Sequence, residues 1–260
     1  MKLFIWTDLE GVAGVLTPVQ TGEEKGEAYK NACRLLTLEV NAAVEAALRA
    51  GATEVVVSDL HGMGFNLILE EIHPSAKVIC GPGRIQWLAG LDSSFEGILL
   101  LGAHAMAGTR YAILEHTMSS KAWFNYYLDG RCMGEIGMTA VCAGTLDVPV
   151  IFVSGDKAAC EEARALLKDV ETASIKEGLA RTAGILIPPV KARQMISEAV
   201  TRAVKRIKDF KPYKVTFPAE VKVEAQNTAV ADAWERQGWE RVDGRTVRRM
   251  AASVNEMAPR

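Results

Sequence analysis

Apolar runs at residues 3–6, 54–57, 97–101 and 148–153 alternate along the chain with helical-period segments at 35–50 and 158–170. The runs are too short for helices and read as buried strands. Their alternation with helices marks βαβ units whose parallel sheet is covered on both faces. The expected class is therefore α/β, a three-layer α/β/α sandwich with a mostly parallel sheet. Within 35–50, Leu38, Val44 and Leu48 fall near one face, and Gly51 supplies a left-handed stop. A second long helix is expected after Pro188-Pro189, running through Met195, Ala199, Ala203 and Ile207 before Pro212.

Past Pro212 the pattern changes. Residues 213–224 alternate apolar and polar in two strand-length pieces broken by Pro218, and an Ala-rich helix follows at 228–237. The expected division is a main α/β domain over 1–210 and a small α+β appendage over 211–260, completed by an insertion near 109–131.

Composition narrows the class. With 260 residues, 49% hydrophobic and 24% charged, the chain can bury a large core and is not a disordered or coiled-coil sequence. Thirty basic against 32 acidic residues leave a charge of -2, so no net field favours nucleic acid or an anionic membrane. The amino terminus lacks the apolar core of a signal peptide, and no stretch has the roughly 18 uninterrupted apolar residues of a membrane helix. Cys33, Cys80, Cys132, Cys142 and Cys160 are odd in number and widely spaced, as expected of thiols in a reducing cytoplasm.

Three apolar runs end alike. FIWTDLEG, VVVSDLHG and ILLLGAHAMAG each place a ligand-type residue just after a strand, followed by Gly. The carboxyl ends of parallel strands line one crevice, so Asp8, Glu10, His61 and His104 are expected to converge there. Asp8 and Glu10 are spaced to put two like charges on one side of an extended segment, which a divalent cation relieves. Histidine and carboxylate donors without thiolate suit zinc, manganese or iron. A single strand-end Asp is more often a cap, and a single His between small residues more often a core histidine; repetition at three strand ends shifts the balance to a joint metal site. His73, after two acids and before Pro, reads as a solvated loop residue. Asp59 reads equally as a partner for the His61 imidazole or as a turn residue. Lys121, Arg110 and Lys176 are candidates for a substrate carboxylate, with nothing in the sequence to choose among them.

These motifs resemble the D-aminopeptidase family of the bacterial dipeptide-transport operon, the DppA-type zinc peptidases. The resemblance rests on TDLEGVAGV at 7–15, SDLHG at 58–62 with Asn66 after it, GAHAMAG at 102–108, LEHTMSS at 114–120 and GEIG at 134–137. VPVIFVSGD at 148–156 and IKEGLARTAGILIPP at 175–189 extend it to about residue 200. It implies two zinc ions per chain, with Asp8 bridging both, Glu10 and His61 completing one, and His104 and Glu135 the other. Glu135 enters only through the resemblance, as does His116 as a catalytic histidine beside the metals. The substrate implied is a short peptide with a free amino terminus, D-amino-acid-containing. The partner implied is a further copy of the chain, in a large ring. Leu60 and Trp6-Thr7 depart from the small residues usual in the family. Two rival readings stand beside this one, a two-metal phosphoesterase and a non-enzymatic peptide-binding protein with a vestigial metal site.

Overall fold

The computed structural model describes residues 1–22, 26–83 and 86–259. Seven strands form the main sheet: β1 (Lys2–Thr7), β2 (Glu54–Asp59), β3 (Ala76–Ile79), β4 (Gly97–Ala103), β7 (Val150–Asp156), β8 (Glu171–Ala180) and β9 (Ala183–Leu186). Their order is β3-β2-β1-β4-β7-β8-β9, with every neighbouring pair parallel except β8 and β9.

Side-chain alternation along β1 sorts the core into two layers. Leu3 and Ile5 face α1 (Glu27–Arg49) and α4 (Pro189–Lys205), packing with Leu36, Val40, Ile196 and Val200. Phe4 and Trp6 face the other way, toward Ile136 and Ala140 of α2 (Glu135–Thr145) and Ala159 and Ala163 of α3 (Lys157–Leu167). Each large side chain removed from water in this way contributes roughly 1.5–3 kcal/mol. The result is the α/β/α sandwich expected from the strand and helix pattern.

A second sheet joins distant segments. β5 (Trp123–Leu128) and β6 (Arg131–Cys132) combine with β10 (Ala219–Ala225), β11 (Glu240–Arg241) and β12 (Thr246–Ala251) in the order β11-β12-β10-β5-β6. α5 (Thr228–Arg236) seals it through Trp234, which meets Trp123 edge-on.

Several local expectations need correction. The first helix begins at Glu27, and its buried stripe is Leu36, Val40, Ala43 and Ala47, with Leu38 only partly covered; small alanines let the helix sit close to the sheet and carry the stripe. Only one of the two strands expected over 213–224 forms, at Ala219–Ala225, after a cis Phe217–Pro218 bond. His73 is not free in solvent: its Nε2 lies 3.0 Å from Glu45 Oε2, and Asn41 accepts its backbone N–H. Strands β3, β5, β6, β8, β9, β11 and β12 carry no strong period of their own and were not expected.

Candidate metal centre

Register alone brings the three motif ends together. Thr7 pairs with Asp59 on one side and with Leu101 on the other, so Asp8, Leu60 and Gly102 leave the sheet in one row. The chain crosses from β1 outward to β2 and β3, then returns to the opposite side at β4. The crevice between β1 and β4 is thus a topological switch point, where open α/β sheets bind ligands. Two glycines permit the close approach. A side chain at Gly102, whose φ is +72°, would fall 2.0 Å from the Asp8 carbonyl, and one at Gly11 would fall 2.1 Å from the Ala103 carbonyl. The space goes instead to backbone bonds, Asp8 N–H to Leu101 O at 2.9 Å and Gly11 N–H to Gly102 O at 2.7 Å.

All six residues singled out in the sequence meet in this crevice. Asp8 stands in the middle: Oδ1 is 2.8 Å from His61 Nδ1, and Oδ2 is 3.2 Å from His104 Nε2. Glu10 Oε2 lies 3.0 Å from the same His61 nitrogen. On the other side Glu135, the first residue of α2, places Oε1 3.2 Å from His104 Nε2 and 3.8 Å from His116 Nε2. The His104 and His116 rings stack with centroids 4.0 Å apart. His61 Nε2 is anchored on the Thr21 carbonyl at 2.8 Å, and His116 Nδ1 on the Leu114 carbonyl at 2.9 Å. Leu114 and Met118, flanking His116, hold positive φ of 53° and 60°, strained for residues with side chains.

The electrostatics are those of a site built for cations. Burial opposes charge on Asp8, yet the facing His104 and His61 side chains outweigh it and hold the carboxyl well below its usual range. Glu135 is likewise lowered, against burial, by His104. Burial opposes protonation of His61 and His104, but Glu10 and Asp8 raise the first and Glu135 and Asp8 raise the second.

The donor set fits a metal on an observation of its own. His104 Nε2 is fully buried and makes no hydrogen bond, although two carboxylate oxygens lie 3.2 Å away. His104 Nδ1 donates to the Ala105 carbonyl at 3.0 Å, which turns Nε2 toward the two carboxylates. A shared cation resolves that arrangement, and donors about 2.0–2.2 Å from one tetrahedral ion stand at separations of this order. Among the described residues two groups have donor atoms within 4.8 Å of one another: Asp8, Glu10 and His104, and His104, His116 and Glu135.

Other candidates separate. The His61 ring nitrogens face Asp8, Glu10 and the Thr21 carbonyl, and Asp59 is engaged in the loop that follows it. Its carboxylate accepts from Asn66 N at 2.6 Å, Asn66 Nδ2 at 2.7 Å and Leu67 N at 3.0 Å, and Asn66 Nδ2 also donates to the His61 carbonyl at 2.7 Å. It therefore shapes the loop that carries His61. Leu60 and Trp6, the departures from the family pattern, pack in the core with Val56, Leu88 and Leu91. Arg110 lies against the ring of Tyr111. Lys176 is buried, and its ammonium donates to the carbonyls of Glu10, Val12 and Val15 at 2.5, 2.9 and 2.7 Å.

Sequence reasoning missed the second support of that loop. Glu39 Oε1 accepts the Ala13 N–H at 2.8 Å from inside α1. The signal was present: Glu39 falls on the stripe of Leu36, Val40 and Ala43, and an acid on an apolar face asks for a partner.

Buried carboxylates and imidazoles at the carboxyl ends of a parallel sheet, without thiolate, define an α/β metallohydrolase. The comparisons with known proteins agree. The chain belongs to the D-aminopeptidase family, peptidase family M55, whose sequence profile matches residues 1–259. It is 36% identical over 214 residues to a D-aminopeptidase of Bacillus subtilis (strain 168), covering 82% of this chain and 77% of the relative. The solved structure of the Zn-dependent D-aminopeptidase DppA from Bacillus subtilis, described as a self-compartmentalizing protease, superposes with a TM-score of 0.94 at 32% identity. That match covers 99% of this chain and 94% of the other.

Proposed function

We propose that this chain is a zinc-dependent aminopeptidase that hydrolyses short peptides with a free amino terminus, D-amino-acid-containing, with two zinc ions per chain. The observation that carries the reading is the fully buried His104 Nε2, unbonded between Asp8 and Glu135, in a chain of the D-aminopeptidase family. Asp8, with one oxygen toward His61 and the other toward His104, is suited to bridge two ions. Glu10 and His61 complete one set and His104 and Glu135 the other. Zinc bound there supplies Lewis-acid polarisation of the scissile carbonyl and acidified water at neutral pH.

The chain's own residues do the rest. The Leu114 carbonyl fixes the proton of His116 on Nδ1, leaving Nε2 turned toward Glu135 and the open side of the crevice. With a second proton on Nε2, His116 is placed to hydrogen-bond the developing oxyanion or to hand that proton to the leaving amine. The substrate's free amino group would meet one of the site carboxylates or the second zinc. The relative's description as a self-compartmentalizing protease supports a homo-oligomer for this chain, a ring enclosing its sites. Free thiols at all five cysteines support a cytoplasmic setting, and no helix among the described residues is long and apolar enough to cross a membrane.

The test is amino acid release by chelator-stripped protein as zinc is returned, from matched D- and L-dipeptides with free amino termini. N-blocked peptides and phosphoesters serve as controls. Release from unblocked D-peptides that saturates near two zinc per chain is the expected result. Cleavage of phosphoesters alone, or no turnover at full zinc occupancy, would move the phosphoesterase or the binding protein to the front.

A further inference from the structure

Beside His116 the surface opens into a pocket of about 380 Å³. Ala107, Glu115, His116 and Arg181 reach it from loops of the main sheet, while Phe124 of β5 and Gln226, just past β10, come from the second sheet. Ser120 and Lys121 close it from the segment between them. Gln226 locks the second sheet's share in place, its Nε2 donating to the Trp123 carbonyl at 2.8 Å and its N–H to the Ala122 carbonyl at 2.9 Å. The volume is at the low end of small-molecule sites, roughly 300–1,000 Å³, which admits a leaving group of one or a few residues.

The pocket itself is cationic. Its one carboxylate, Glu115, is already engaged: Oε2 accepts the Gly108 N–H at 2.8 Å, and Oε1 lies 3.4 Å from Arg181 Nε. Two cations, Arg181 and Lys121, therefore face one satisfied anion. The Lys121 ammonium is exposed, and among the described residues no hydrogen bond or ion pair ties it down. The leaving residue of a dipeptide ends in a free carboxylate, the counter-charge that the Lys121 ammonium lacks among the described residues.

Resting on the aminopeptidase reading above, we propose that this pocket receives the leaving residue and that Lys121 binds its terminal carboxylate, which makes the enzyme selective for dipeptides. Arg181, held by Glu115, adds field without offering a free fork. Phe124 provides an apolar surface for the leaving side chain. The second sheet thereby acquires a role in specificity.

The test compares the zinc-loaded protein and its K121Q and K121R variants on D-alanyl-D-alanine and on its carboxyl-terminal amide. The wild-type protein should show the lower KM for the free carboxylate. K121Q should raise that KM about tenfold with little change in kcat, as loss of a uniformly made charge-assisted contact requires, and should erase the preference over the amide. K121R should restore most of it. Equal KM values for acid and amide in the wild type, or a preference that survives K121Q, would overturn the carboxylate pocket and leave the aminopeptidase intact. Turnover of neither substrate at full zinc would instead remove the peptidase reading on which it stands.

Discussion

His116 is held on two sides, by the His104 ring stacked 4.0 Å away and by the Leu114 carbonyl at 2.9 Å, so its remaining nitrogen is poised at the mouth of the crevice. Its neighbours in the pocket decide what it meets. On the proposed two-zinc reading, His116→Ala should keep its zinc and lose on the order of 10²–10⁴-fold in turnover. Zinc content by atomic emission beside single-turnover rates checks this. Loss of one zinc together with the rate would make His116 a ligand, a role its grouping with His104 and Glu135 leaves within reach.

At the scale of elements, the loop that carries Asp8 and Glu10 is held between α1 and β8. Glu39 accepts the Ala13 N–H from the helix, and Lys176 donates to three carbonyls from the strand. Burial pushes the Glu39 carboxyl from its usual 4.5 up to about 7, against the Ala13 hydrogen bond and the attraction of Lys176. Between those values the folded chain keeps a proton that the unfolded chain releases, so this group's contribution falls as pH rises from 4.5 through 7 and is constant above. E39Q keeps the acceptor for Ala13 and has no charge to bury. Denaturant unfolding of metal-free protein across that window should show wild type losing on the order of 3 kcal/mol relative to E39Q. Parallel stability profiles would show that Glu39 stays ionised in the fold.

For the whole molecule, the proposed metal site would staple distant parts of the chain: β1, β2 and β4 of the sheet, α2 on one face, and the loop at 114–118. Its anions repel once the cations leave. Each ion bound at a thousand times its dissociation constant stabilises the fold by about 4 kcal/mol, and two by about 8 kcal/mol. At this chain length, chelation of two ions should therefore lower Tm by roughly 20 °C, reversed by two equivalents of zinc per chain. Scanning calorimetry with and without chelator decides it. A Tm indifferent to chelation would mean that the ligands are held by the protein alone, as Lys176 and Asn66 hold their loops.

What the sequence by itself determined was local and repetitive. Three strands ending in an acid or an imidazole followed by Gly declared the parallel sheet and the convergence of four candidate donors, Asp8, Glu10, His61 and His104, because a buried strand must be apolar and a switch-point crevice lies at its end. Glu135 and His116 were legible only through family resemblance, since each sits in a polar, Gly-flanked stretch that read alone is an ordinary loop. Tertiary structure decided what depends on long-range pairing. The second sheet joins residues near 125 to residues near 222, a register no local period encodes. Lys176 looked like any surface cation until β8 was placed beneath the 8–16 loop, where burial and three carbonyls turn it into a clamp. Lys121 was indistinguishable from Arg110 by sequence, and only the meeting of the two sheets put one beside His116 and the other against Tyr111. Strand identity is carried by the side chains of a few neighbours in sequence, whereas the partner of a charge is chosen by the fold.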